Sequence, residues 1–147
     1  MAAERRAEVT WQGDLMGGSG EVERVGSGTF GGLDVTWASR TEEPGGKTSP
    51  EELIAAAHAA CFSMALAHAL AQAGNPPEQL STSATVTFVP GTGITRSALE
   101  VQGNVPGIDE GAFREAAEQA KEGCPVSQAL KGNVELEVTA RLASESS

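Results

Sequence analysis

The segment from Ser49 to Gly74 constrains the fold more than any other part of the chain. Ser49, Pro50 and Glu52 form a helix-start signal: an N-cap serine, a proline at the first helical position and a glutamate at the capping-box position. Residues 53–72 continue with helix formers and without a breaker until Gly74, which is a natural C-cap. The sequence therefore predicts one long helix of about 25 residues, nearly 40 Å at about 1.5 Å per residue.

This helix is apolar on nearly every face, because alanines fill the positions between Ile54, Cys61, Leu66 and Leu70. A helix that is apolar all round is normally buried in the middle of a protein. Its length exceeds what a compact domain of this size needs, which points to a kink or to a second subunit that shares the helix. No apolar run approaches the roughly 18 residues that cross a bilayer, so we predict no membrane span.

The rest of the chain alternates strand patterns, glycine turns and short helices. The predicted elements are strands at 7–11, 21–25 and 33–38, a loop at 41–47, the long helix, strands at 82–89 and 94–105, helices at 109–123 and 124–130, and a strand at 133–142. This order predicts an α+β fold in which antiparallel sheet packs on helices. No repeat or linker interrupts it, so we predict a single domain over 1–147, with a frayed tail at 143–147.

Composition and charge exclude several classes of function. The 147 residues carry 20 acidic and 10 basic side chains, a net charge of −10, and the cations are scattered along the chain. Nucleic-acid binding needs a basic patch, so we predict no nucleic-acid partner. The glycine-rich stretch at 17–20 lacks the spacing of a phosphate-binding loop. The first ten residues lack the apolar core of a secretory signal, so we expect a cytoplasmic protein.

The two cysteines, Cys61 and Cys124, are too few for a structural zinc site of four cysteines. Taken alone, Cys61 is typical of a small buried apolar residue. Cys124 stands at a helix start before Pro125, where it either serves as a weak N-cap or is stabilised as a thiolate by unpaired backbone N–H groups. His58 precedes Cys61 by three positions on the long helix, which leaves a Cys–His pair open.

Three segments, together with Trp11–Asp14, resemble one known family, the OsmC/Ohr thiol peroxidases. Residues 48–66 resemble its central-helix signature, and residues 105–109 and 124–130 resemble its second motif. The resemblance extends over most of the chain from Trp11 to Leu142. The residues around both cysteines are closer to the OsmC branch than to the Ohr branch.

The resemblance implies an intertwined homodimer, with sheets wrapped around two long central helices and active sites at the interface. It implies reduction of organic hydroperoxides, and less efficiently of hydrogen peroxide, by a dithiol-dependent enzyme without cofactor or metal. Cys61 matches the peroxidatic cysteine, Cys124 the resolving cysteine and Glu51 the catalytic glutamate. Glu51 precedes Cys61 by ten positions, about 15 Å along one helix, so the two side chains cannot touch within that helix.

The family's catalytic arginine is assigned by branch. Ohr proteins carry it in the early glycine-rich loop, where this chain has Met16, Gly17 and Gly18. OsmC proteins carry it near the loop before the central helix, where Arg40 is the matching residue. We expect Arg40 to hold the Cys61 thiolate and the peroxide oxygens, and Glu51 to orient its guanidinium group.

Two other classes of function remain open from the residues alone. The first is a non-catalytic α+β binding module in which the cysteines are incidental. The second is a small hydrolase that uses Cys61 and His58 as nucleophile and base, for which Cys124 would be dispensable.

Overall fold

Residues 2–143 are described by the structure, which is a computed structural model. Their elements in chain order are β1 (Ala7–Gln12), β2 (Ser19–Val25), β3 (Gly31–Val35), α1 (Trp37–Thr41), α2 (Pro50–Gln72), β4 (Gln79–Val89), β5 (Gly93–Asn104), α3 (Glu110–Gly123), α4 (Pro125–Leu130) and β6 (Glu135–Leu142). They fall into two compact units, one ending at Leu53 and one beginning at Ile54. Of the tail predicted to fray, residues 144–147 lie outside the described residues. The combination of four helices with two three-stranded sheets among these residues confirms the predicted α+β class.

The first unit contains an antiparallel sheet in the order β1–β2–β3. Trp11 on β1 pairs with Gly20 on β2, and a Cβ atom at Gly20 would lie 2.5 Å from Trp11 Cε3. The indole ring therefore lies over the strand only because residue 20 is glycine.

A short helix, α1, follows this sheet where the sequence predicted strand. The prediction of a strand over 33–38 is wrong beyond Val35. Thr36 and Ser39 form a reciprocal cap: each side-chain oxygen accepts the other residue's backbone N–H at 3.0 Å. This closure stabilises a helical turn at residues whose apolar pattern resembles a strand. The rest of the predicted loop, after Thr41, leads to α2.

The long helix begins and ends as predicted. Ser49 Oγ accepts the Glu52 N–H at 3.2 Å, and Pro50 is the first residue of α2. At the other end Gly74 has a φ of +90°, and its N–H donates to the Ala71 carbonyl at 3.0 Å. Glycine adopts this left-handed conformation without steric cost, so it ends the helix.

Burial of α2 differs from the sequence prediction. Its buried positions from His58 onward form a single stripe, His58, Phe62, Leu66 and Leu70, while Met64 is 72% exposed. A single chain therefore buries only one face of α2, although the helix is apolar on nearly every face. One premise of the membrane prediction is wrong: within residues 2–143, this 23-residue helix, with a mean hydropathy of 1.7, is long and apolar enough to cross a membrane by length and composition, a test that the core helix of a soluble protein also passes.

The second unit contains a sheet in the order β4–β5–β6. Strands β4 and β5 are antiparallel as predicted, but β5 and β6 are parallel. The parallel pairing arises because α3 and α4 carry the chain back to the start of β5, and only a crossover of this length allows parallel neighbours. Buried residues of the sheet and helices form one core, which includes Phe62, Leu66, Leu99, Phe113 and Cys124.

Candidate active site

The two cysteines contact each other inside the second unit. Cys61 lies in the middle of α2 and is half-buried, whereas Cys124 between α3 and α4 is fully buried. Both are free thiols, and the Cys124 side chain lies close enough to Cys61 to raise the pKa of its thiol. The structure thus brings together two residues that are 63 positions apart in the sequence (124 minus 61).

The position of Cys124 follows from the change of direction between two helices. Its N–H donates to the Ala120 carbonyl at 2.9 Å and ends α3, while its carbonyl accepts the Gln128 N–H at 2.9 Å and begins α4. Its extended backbone, φ −63° and ψ 126°, is the conformation that a following proline requires. The Cys124 side chain makes no capping hydrogen bond. It faces Cys61 instead, so the N-cap alternative does not hold.

The environment of Cys61 favours its neutral thiol. Burial away from water is the largest cause that raises its pKa, and the hydrogen bond to Cys124 acts in the same direction. The negative charge of an ionised Cys124 raises the pKa further, whereas a hydrogen bond from the Val126 backbone lowers it. A thiolate at this position therefore needs additional positive charge.

Arg40 and Glu51 form an ion pair within the first unit. Arg40 Nε lies 3.0 Å from both Glu51 carboxylate oxygens, and Nη2 lies 2.8 Å from Oε2. The Glu51 side chain is 8% exposed and that of Arg40 28%. The guanidinium carbon also lies 5.8 Å from the centre of the Trp37 ring. This two-pronged contact fixes the plane of the guanidinium group.

An apolar cavity of about 350 Å³ borders this ion pair, also within the first unit. Arg40 is the charged residue in its lining; the other lining residues are Val9, Trp11, Leu15, Val22, Val35, Thr36, Trp37, Pro50 and Leu53. The cavity was not predicted, because its walls come from β1, β2, β3, α1 and α2. The tryptophans at 11 and 37, in a chain with few aromatic residues, are the sequence signal that was available.

His58 does not pair with Cys61. Its Nδ1 lies 2.7 Å from Ser97 Oγ and its Nε2 lies 2.8 Å from Ser127 Oγ. Both ring nitrogens are thus occupied, and neither is left to take a proton from Cys61. The hydrolase alternative loses its base, and the two serines are partners that sequence reasoning missed. The signal at Ser127 was its place in the motif that begins at Cys124.

Metal binding has no support from the arrangement of ligands. Within the described range 2–143, no three His, Cys, Asp or Glu side chains come together in a group that could hold a metal ion.

Comparison with known proteins identifies the family. A model of the family described as "OsmC-like protein" matches residues 43–139. Peroxiredoxin OsmC of Escherichia coli strain K12 is 41% identical over 140 residues, which cover 93% of this chain and 96% of that protein. An organic hydroperoxide resistance protein of Xanthomonas axonopodis pv. citri is 32% identical over 96 residues, 65% of this chain and 68% of that protein.

The fold agrees with solved structures of the same group. The crystal structure of an organic hydroperoxide resistance protein OsmC from Legionella pneumophila covers 92% of this chain and 96% of its own, with 25% identity and a TM-score of 0.68. The chain belongs to the OsmC-like family and is a peroxiredoxin-like enzyme. Arg40 lies just before the range that the family model matches.

Proposed function

We propose that this chain reduces organic hydroperoxides, and hydrogen peroxide less efficiently, with Cys61 as the peroxidatic and Cys124 as the resolving cysteine. The observation that carries this proposal is the contact between the two thiols across α2 and α4. Two cysteines in one buried contact are what a sulfenic acid followed by an intramolecular disulfide requires.

In the first step, the Cys61 thiolate attacks the terminal oxygen of the hydroperoxide. A sulfur–oxygen bond forms, the oxygen–oxygen bond breaks, and the alkoxide leaves and takes a proton to become an alcohol. Cys61 is oxidised to the sulfenic acid. The raised pKa of Cys61 means that a cation must stabilise the thiolate for this step to run at neutral pH.

Arg40 is that cation in our proposal, and Glu51 is the residue that orients it. The two-pronged contact with Glu51 fixes the orientation of the guanidinium group. The adjoining apolar cavity suits the alkyl part of an organic hydroperoxide, since its lining offers apolar side chains beside a single charge.

In the second step, Cys124 closes a disulfide with Cys61, and an external dithiol then reduces it by thiol–disulfide exchange. Free thiols of this kind suit the reducing conditions of the cytoplasm, which we propose as the location.

We also propose a single OsmC-like domain that works as an intertwined homodimer. The face of α2 that one chain leaves uncovered carries Ala57, Ala60, Met64, His68 and Ala71 at helical spacing, and it is apolar apart from His68. Small side chains allow a second helix to approach closely, and apolar surface of this kind is normally covered in a stable protein. A second copy of α2 is the partner that the family resemblance implies.

Thiol counting after addition of cumene hydroperoxide tests the proposal. We expect both thiols of each chain to disappear and dithiothreitol to restore them. A Cys124→Ser variant should lose its remaining thiol and accumulate sulfenic and then sulfinic acid at Cys61. If peroxide leaves both thiols of the unmodified chain intact, the chain is a binding module rather than a peroxidase.

A further inference from the structure

His58 is a fully buried histidine that takes no part in the proposed bond-making steps. It is 0% exposed, and so is Ser97, while Ser127 is 1% exposed. Each ring nitrogen meets one serine hydroxyl, at 2.7 Å for Ser97 and 2.8 Å for Ser127. Burying an imidazole ring is costly unless both nitrogens are hydrogen-bonded, so this site is built around the ring.

The two serines connect His58 to different elements. Ser97 lies on β5 in the centre of its sheet, and Ser127 is the third residue of α4. His58 itself lies on α2, three positions before Cys61 and therefore one turn along the same helix. A single side chain on α2 is thus hydrogen-bonded to both α4 and β5.

Helix α4 meets α2 at a second point, beside Cys61. The Val126 backbone and the Cys124 side chain both lie close enough to the Cys61 thiol to shift its pKa. Val126 and Ser127 are neighbours on α4, and Cys61 and His58 are neighbours on α2. Because the His58–Ser127 hydrogen bond lies one turn from Cys61, a rotation or shift of α4 relative to α2 would break this bond and also move Cys124 relative to Cys61.

We infer that His58 and Ser127 are positioning residues that hold α4 so that Cys124 can resolve the Cys61 sulfenic acid. The inference rests on the proposed function. In the resolving step the Cys124 thiolate attacks the Cys61 sulfur, a disulfide bond forms and the sulfur–oxygen bond breaks. Hydroxide leaves with the electron pair and, with the proton from the Cys124 thiol, becomes water. This displacement needs the attacking sulfur in line with the bond that breaks.

Removing the Ser127 hydroxyl should slow disulfide closure and leave the first step close to that of the unmodified chain. A displacement of about 1 Å in an attacking group can cost up to roughly 100-fold in rate. We therefore expect Ser127→Ala to close its disulfide about 10- to 100-fold more slowly. The measurement is a single turnover with cumene hydroperoxide, in which peroxide consumption reports the first step and intact mass after acid quench reports closure. Slower closure should also raise the share of Cys61 that is over-oxidised to sulfinic acid.

A matched pair of substitutions at His58 separates positioning from general loss of packing. Asparagine places its amide near the former Nδ1, within reach of Ser97, whereas glutamine places it near Nε2, within reach of Ser127. His58→Gln should therefore close its disulfide faster than His58→Asn. Ser63→Ala is the control for loss of a hydroxyl on α2, because Ser63 Oγ bonds to Thr82 on β4, 2.7 Å away, and not to α4.

The inference is overturned if Ser127→Ala closes its disulfide as fast as Ser63→Ala, or if the two His58 variants close at equal rates. Failure of the unmodified chain to form any disulfide with peroxide would instead remove the proposed function. The two failures are therefore distinguishable in the same experiment.

Discussion

At the scale of single residues, the chemistry of Cys61 depends on what its neighbours supply. Burial, the Cys124 hydrogen bond and the charge of an ionised Cys124 all raise its pKa, and the Val126 backbone alone opposes them. A position in the middle of α2 offers no help from the ends of the helix dipole. Arg40 is the residue that we propose supplies the missing positive charge, so it is the residue to test.

We expect Arg40→Ala to slow the first step by at least roughly tenfold, because the Cys61 thiolate would lose the positive charge that we propose stabilises it. The thiolate fraction at neutral pH then falls, and the pH at which iodoacetamide labels half of Cys61 moves upward. Peptide mass spectrometry across a pH series measures that midpoint. Arg96→Ala is the control, since Arg96 pairs with Glu137 at 2.6 Å on the surface. Equal midpoints in the two variants would assign the activating charge to another cation.

The pH dependence of stability should report His58. Burial lowers the pKa of His58 below its usual 6.5, so the folded chain holds the ring neutral at a pH where the unfolded chain already binds a proton. The stability this group contributes is complete above about pH 6.5 and is lost as pH falls from there toward the folded pKa. Urea unfolding at pH 7.5 and pH 5.5 measures the loss.

His58→Gln removes the titrating imidazole ring, so this variant is the reference for the pH dependence that His58 contributes to stability. The difference in urea midpoint between the unmodified chain and this variant should shrink as pH falls. A constant difference over that range would mean that the ring is not held neutral in the folded state.

At the scale of elements, local signals predicted boundaries well and pairings poorly. The start of α2 at Ser49–Pro50, its end at Gly74 and the Asp109 cap of α3 follow from single residues whose side chain or backbone acts locally. Helix α1 was missed because five residues are too few to show a helical period. The parallel β5–β6 pair was missed because strand direction depends on the path of the whole crossover.

In the candidate site too, the sequence predicted individual residues better than the contacts they make. The family motifs point to both cysteines and to Glu51, whereas the approach of Cys124 to Cys61 is a property of packing. His58 meets serines 39 and 69 positions away in the sequence, and no local pattern encodes such a separation.

The ion pair between α1 and α2 should affect both activity and stability. Glu51→Gln removes the charge that holds the Arg40 guanidinium, so we expect the first step to slow by roughly tenfold or more. Loss of a hydrogen-bonded charge partner should also lower the free energy of unfolding by about 1.5–3 kcal/mol, measured by urea unfolding. Glu52→Gln is the matched control, because Glu52 accepts its hydrogen bond from Thr48 at 2.7 Å rather than from Arg40. Equal rates in the two variants would count against an orienting role for Glu51.

The contact between β5 and α3 depends on glycine at position 103. A Cβ atom there would lie 2.6 Å from Cζ of Phe113, which is fully buried. Overpacking of this kind typically costs about 1–3 kcal/mol, and we expect Gly103→Ala to lower the free energy of unfolding by that amount. Gly123→Ala provides the contrast, because a Cβ atom there meets nothing within 4 Å and alanine favours the helix. Equal unfolding midpoints for the two variants would contradict this account of the β5–α3 contact.

At the scale of the whole molecule, a helix that is apolar all round has one covered face in a single chain. The side chains of His58, Phe62, Leu66 and Leu70 are buried, and the opposite face presents Met64 and His68 among alanines. The net charge of −10 favours solubility but does not cover that face. The length and apolarity of α2 are therefore best explained by a second copy of the chain that covers the exposed face, as in the homodimer proposed above.

Placing a charge on the uncovered face of α2 tests this assembly. Met64→Glu puts a carboxylate where we expect the second copy of α2, and an unpaired buried charge is strongly unfavourable. We expect the variant to be monomeric in size-exclusion chromatography with light scattering, at concentrations where the unmodified chain is dimeric. Peroxide reduction should fall with it, because the proposed site is assembled in the dimer.

The same change in charge on α3 separates assembly from net charge. Gln119 lies on an exposed face of α3 that already carries Glu115 and Glu118. Gln119→Glu therefore adds one negative charge where we expect solvent. This variant should remain dimeric and active. If Met64→Glu is also dimeric and active, the uncovered face of α2 is not the surface that joins the two copies, and the apolar helix needs another partner.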